Sequence, residues 1–139
     1  MTGKTTAVHY LGLAQTAALI RNREVSSREV TQLLLDRIGG LDGQLRSYAL
    51  VMAETALEQA AAADAEMCSG YVRGPVHGVP ILVKDLCQIQ GFPTGAGMQA
   101  GMYPVAAEDA TVVHRLKEAG AVLLGKSQVT VGAYSDHHP

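Results

Sequence analysis

The stretch "GPVHGVPILVKDL", residues 74–86, sets the fold class. Val79, Ile81, Leu82 and Val83 form a short aliphatic run, preceded by a glycine- and proline-containing loop and followed by two charges. A run of that length reads as a buried strand rather than a helix. Lys84 stands where the strand leaves the core, with Asp85 next to it. Two readings of such a lysine compete. Its stem can lie along apolar surface while the amine stays in water. Alternatively, an apolar site disfavours the charged form of an amine and makes the neutral amine usable as a base. Position alone leaves both open.

Downstream, "AVLLGK" (121–126) is a second buried strand. Between the two lies a glycine-rich loop, "QGFPTGAGMQAGMYP" (90–104), carrying Gly91, Gly95, Gly97 and Gly101. Asp109 is placed to cap a helix over residues 110–119, which Gly120 closes. Strand, loop, helix, strand is a βαβ unit, so a parallel pair and an α/β fold are expected. Upstream, residues 47–52 read as a short strand and the Ala-rich residues 53–67 as a helix. Ala56, Ala60, Ala63 and Met67 share one face of that helix, where small side chains permit close packing on a sheet. Two more helices are predicted before it. In residues 11–22, Leu13, Ala17 and Ile20 line one face. The next begins at Ser26, whose spacing to Glu29 is that of a capping box. Its stripe is Val30, Leu33, Leu34 and Ile38, and Gly39-Gly40 is expected to end it.

A chain of 139 residues with 47% hydrophobic and 17% charged residues can bury a core. A net charge of −2 leaves no electrostatic footprint for nucleic acid, and no like-charge run suits a membrane surface. The apolar stretch 7–20 is broken by His9, Gln15 and Thr16, and no small-residue cleavage site follows it. No stretch is long enough to span a bilayer. A cytoplasmic protein is expected. Cys68 and Cys87 form no metal or redox motif; two reduced thiols and a single disulfide both stay open.

Other chemistry is thin. Gly95-Ala96-Gly97 lacks the third glycine of a dinucleotide fingerprint, and there is no phosphate-binding loop motif. The loop can still bring backbone N–H groups near a ligand. Asp136, His137 and His138 are conceivable metal ligands, but adjacent histidines suit one ion poorly, and a turn is the default. Neither metal nor cofactor is expected. Six serines occur, at 26, 27, 47, 69, 127 and 135, and none sits in a GxSxG elbow.

Taken together, "GPVHGVPILVKDL", "GFPTGAGM" and "EDATVVHRLKEAGAVLLGKSQ" strongly resemble the amidase signature family in order, spacing and residue type. The likeness is densest over residues 70–138, and "LIRNREVSSREVTQLLLDRI" is similar to that family's N-terminal helices. The resemblance implies the N-terminal portion of a single domain, mainly helical over 1–69 and entering the signature core at 70, with a mixed sheet flanked by helices. It implies amide hydrolysis by a serine–cis-serine–lysine triad, with the lysine falling on Lys84. Asp85 would support the Lys84 region, and Thr94, Gly95, Ala96, Gly97 and Met98 would flank the acyl pocket. Both serines and the oxyanion loop would lie downstream of Pro139, so the chain by itself is expected to be inactive. Its substrate in full-length form would be a small-molecule amide. The family usually has an acid near Val131, where this sequence has valine. An incomplete sheet implies self-association through an exposed edge. The competing expectation is a non-catalytic interaction module that docks on a full-length relative.

Overall fold

The computed structural model describes residues 5–98 and 104–134. The aliphatic run at 79–83 forms strand β2, Pro80–Lys84, and "AVLLGK" forms β3, Val122–Ser127. The two pair in parallel, with Val83 opposite Lys126 and Lys84 opposite Ser127. The crossover between them carries helix α4, Thr111–Glu118. Strand β1, Tyr48–Val51, lies antiparallel on the other side of β3, which gives a mixed sheet of order β1-β3-β2. The expected α/β class and the parallel pair are therefore present.

The central place of β3 explains its composition. Residues 121–126 are all buried, as a strand covered on both faces requires. Gly125 is the position where β1 comes closest: a Cβ there would stand 2.1 Å from the Leu50 carbonyl oxygen. No residue but glycine fits.

Helix α3, Ala53–Cys68, covers one face of the sheet. Ala56 and Ala60, both fully buried, meet Val122 and Leu124, with Leu34 and Leu35 packed alongside. On the other face, Met52, Val83, Ile89, Val113 and Leu123 form a second cluster that seats α4. A third cluster joins Val8 and helix α1, Leu13–Arg21, to helix α2, Ser27–Leu45, through Ala17, Ile20, Val30, Ala63 and Met67.

The capping box at the start of α2 is formed: Ser26 accepts from the Glu29 N–H, and the Glu29 carboxylate accepts from the Ser26 N–H. A second cap comes from α3, where Asp64 accepts the Ser27 and Arg28 N–H groups at 2.7 and 3.0 Å. Ser27 itself is the first helical residue, and its hydroxyl donates to the Gly78 carbonyl.

Three expectations are corrected. Helix α2 passes through Gly39-Gly40 and ends at Leu45; neither glycine takes a left-handed φ, so neither terminates the helix. Leu13 does not join Ala17 and Ile20 in the core but is 53% exposed at the first turn of α1. Asp109 does not cap α4: Ala110 holds that position without a side-chain bond. The Asp109 carboxylate instead accepts the Gln90 N–H and the Lys117 ammonium, tying the glycine-rich loop to α4. Gly120 does close α4, with φ +81 and the paired Gly120→Lys117 and Ala121→Leu116 bonds of a Schellman end.

Candidate active site at the carboxyl ends of the parallel strands

In sheets with parallel strands, ligands bind beyond the carboxyl ends of those strands. Here the carboxyl ends of β2 and β3 carry Lys84, Asp85, Lys126 and Ser127. Side chains alternate along a strand. Lys84 shares a face with its partner Ser127, and the neighbouring Lys126 points the opposite way. Lys84 is exposed and Asp85 is buried. The strand thus ends by presenting its lysine outward and turning its aspartate in.

The buried lysine of this region is Lys126, which has no solvent exposure. An ammonium has three protons to place, and Lys126 has two hydrogen bonds and a carboxylate partner. Its Nζ donates to the Pro93 carbonyl at 2.9 Å and to Thr94 Oγ1 at 2.6 Å, and it forms an ion pair with Asp85 Oδ1 at 2.7 Å. The second Asp85 oxygen, Oδ2, accepts the Gly95 N–H at 3.1 Å. Two opposite charges are therefore buried together, and both hold the same loop.

The glycine-rich loop is fastened further along. The Ala96 N–H donates to the Asp85 carbonyl at 3.0 Å, and the Gly132 N–H donates to the Ala96 carbonyl at 2.9 Å. Gly97 has φ +79, and a Cβ there would stand 2.5 Å from the Val129 and Thr130 carbonyl oxygens. Glycine is required on both counts. At its base the loop is closed by the Pro93–Val105 bridge and by bonds between Gly91, Phe92 and Ala106. Residues 94–97 are half-buried and Met98 is exposed.

Of the sequence-predicted residues, Lys84, Asp85 and Thr94 to Met98 thus gather at one end of the sheet. Lys126 was not singled out from sequence. Its signal was present: a lysine continuing an unbroken apolar strand, with no polar alternation to carry it to the surface. Cys68 and Cys87 are free thiols. Asp136, His137 and His138 lie outside the described residues, and among those described no group of three or more His, Cys, Asp or Glu could hold a metal. Val131 sits half-exposed in the short 3-10 turn Val131–Ala133. No helix among the described residues is long and apolar enough to cross a membrane.

The "Amidase" family model matches residues 29–138, most of the chain and every element of this site. The chain belongs to the amidase signature family. Among curated amidase relatives, the "Putative amidase AmiD" of Mycobacterium tuberculosis (strain H37Rv) is 52% identical over 133 residues, covering 96% of this chain and 28% of that protein. An "Amidase" of Pseudomonas putida is 41% identical over 124 residues, covering 89% of this chain and 26% of its own. Among solved amidase structures, the native peptide amidase of Stenotrophomonas maltophilia superposes with a TM-score of 0.77 at 38% identity, over 86% of this chain and 25% of that one. An amidase family protein of Bacillus anthracis gives a TM-score of 0.82 at 31% identity, over 92% and 26%. The chain therefore spans about a quarter of the length of the amidases it matches.

Proposed function

We propose that this chain is the N-terminal part of an amidase that hydrolyses carboxylic amide C–N bonds, with Lys84 as the terminal base of a serine–cis-serine–lysine relay. The observation that carries the reading is the placement of Lys84, exposed at the carboxyl end of a parallel strand, one residue from the Asp85 anchor of the 94–98 loop. Membership of the amidase family supports it.

A serine hydroxyl is a weak nucleophile until a neighbour takes its proton. In this reading the nucleophilic serine attacks the amide carbonyl and passes its proton to the cis-serine, which passes its own to the Lys84 amine. The lysine returns a proton by the same route to the departing amine, and water then hydrolyses the acyl-enzyme. Both serines belong to the part of the protein beyond these 139 residues, so the chain alone is inactive. Asp85 supports the Lys84 segment, and residues Thr94 to Met98 flank the acyl pocket. A cytoplasmic setting is part of the same proposal.

Names among the similar proteins include a peptide amidase and an aryl acylamidase. A panel of simple aliphatic, aryl and peptide amides is therefore the starting assay. Removing a general base costs about 10²–10⁴-fold, so Lys84→Met in the whole protein should lower kcat/KM by at least that order. Unchanged turnover in that variant would refute the assignment. Hydrolysis by the isolated 139-residue chain, abolished by Lys84→Ala, would refute its inactivity.

A further inference from the structure

We propose that Asp85 and Lys126 are a pair of positioning residues that set the seat of the 93–98 loop beside Lys84, and that this requires their charges rather than their bulk. The proposal deepens the reading of this site as amidase machinery, and its kinetic arm rests on that reading.

The two side chains divide the loop between them. Lys126 reaches from the central strand and takes the Pro93 carbonyl and the Thr94 hydroxyl. Asp85 reaches from the end of β2 and takes the Gly95 N–H. Three consecutive loop residues are thus each held by one bond from a buried, mutually neutralising pair. Hydrogen bonds to ionised groups are shorter and stronger than neutral ones. Three glycines in residues 90–98 give this segment little intrinsic shape. Its conformation must come from outside, and the pair supplies it at residues 93–95, while Gly97 is wedged against the Val129 and Thr130 carbonyls.

A purely structural role makes a different prediction. Replacing a buried ion pair by apolar residues of similar volume is often neutral or stabilising, whereas removing one partner strands the other charge. The double variant Asp85→Leu/Lys126→Met therefore separates folding from positioning. The reporters are the Ala96 and Gly132 amides, because both donate to backbone carbonyls and neither loses its acceptor in any of the variants.

The experiment uses the whole protein, with hydrogen exchange followed at Ala96 and Gly132 and in α3, together with Tm and steady-state kinetics on the amide panel. Asp85→Asn and Lys126→Met should each speed exchange at Ala96 and Gly132 at least tenfold. The double variant should recover the wild-type Tm and α3 protection while exchange at the two reporters stays fast and kcat stays low. Wild-type protection of Ala96 and Gly132 in the double variant would overturn the proposal, because bulk alone would then hold the loop. So would unchanged exchange in both single variants. If either single variant fails to fold, the double variant decides. If the wild-type protein hydrolyses no amide, the functional reading fails, while the exchange comparison still decides whether the pair positions the loop.

Discussion

Lys126 and Asp85 are the residues on which the site depends energetically. Neither could be buried alone: an unpaired ion in a protein interior costs several kcal/mol. Lys126→Met leaves Asp85 buried without its counter-ion and should lower stability by about 3–5 kcal/mol, read from urea denaturation midpoints. Gly97 makes a second prediction at this scale. Its φ of +79 costs a side-chain-bearing residue about 1–2 kcal/mol. The 2.5 Å approach to the Val129 and Thr130 carbonyls adds a clash that backbone must relieve. Gly97→Ala should therefore destabilise by more than Gly91→Ala, whose Cβ would meet nothing within 4 Å despite a similar φ of +85.

His77 is the third case. It is buried, with Nδ1 accepting the Arg73 N–H, so its other nitrogen carries the proton. Nε2 stands 3.1 Å from Glu66 Oε2, without the alignment of a hydrogen bond. Burial holds the His77 pKa below 6.5, helped by the Arg73 charge and opposed by Glu66. A lowered histidine pKa means that the unfolded chain takes up the proton first. The contribution of His77 is present in full above pH 6.5 and is lost as pH falls from there through the folded pKa. The stability difference between wild type and His77→Gln should shrink from about pH 8 to about pH 5 in paired urea titrations; a constant difference would contradict the neutral, buried assignment.

At the scale of elements, α2 shows local rules met and overridden. Its start obeys them: Ser26 and Glu29 form the reciprocal cap that their spacing announced. The hydrogen bonds from Ser26 hold the Glu29 carboxyl below its ordinary pKa of 4.5. Ser26→Ala should cost about 1 kcal/mol. The end of α2 departs from them, because helical bonds continue through Gly39 and Gly40 to Leu45. A Cβ at either glycine would meet nothing within 4 Å. Replacing each with alanine should therefore stabilise by about 0.5–1 kcal/mol, visible as a raised Tm. Asp109 illustrates the same lesson elsewhere. Burial alone would raise its pKa, but bonds from Lys117 and the Gln90 N–H outweigh burial and hold the carboxyl down. The carboxylate is shared by the loop and by Lys117 of α4 instead of capping the first turn of that helix.

At the scale of the whole molecule, β1 and β2 are the outer strands of the described sheet, and each has one edge unpaired by a described strand. Unpaired edges template association. The isolated 139-residue chain should sediment with a weight that rises with concentration. A sharp, concentration-independent monomeric melt would argue against that expectation. The whole protein should not share this behaviour if further strands of the amidase domain cover the edges.

The βαβ unit, the parallel pair and the alanine face of α3 were legible in the sequence because they follow from local periodicity and from side-chain volume. The family was legible because its blocks are dense in glycine, proline and charge at fixed spacing. Lys84 and Asp85 stood out locally only as charges ending an apolar run; their expected roles came from the family resemblance. Only the tertiary structure decided that Lys126 is buried, that Asp85 faces it, and that both hold the 93–98 loop. Those contacts join residues about 10 to 40 positions apart. Whether a lysine at a strand end reaches water or a buried carboxylate depends on which strand lies at the centre of the sheet, and no local pattern states that order.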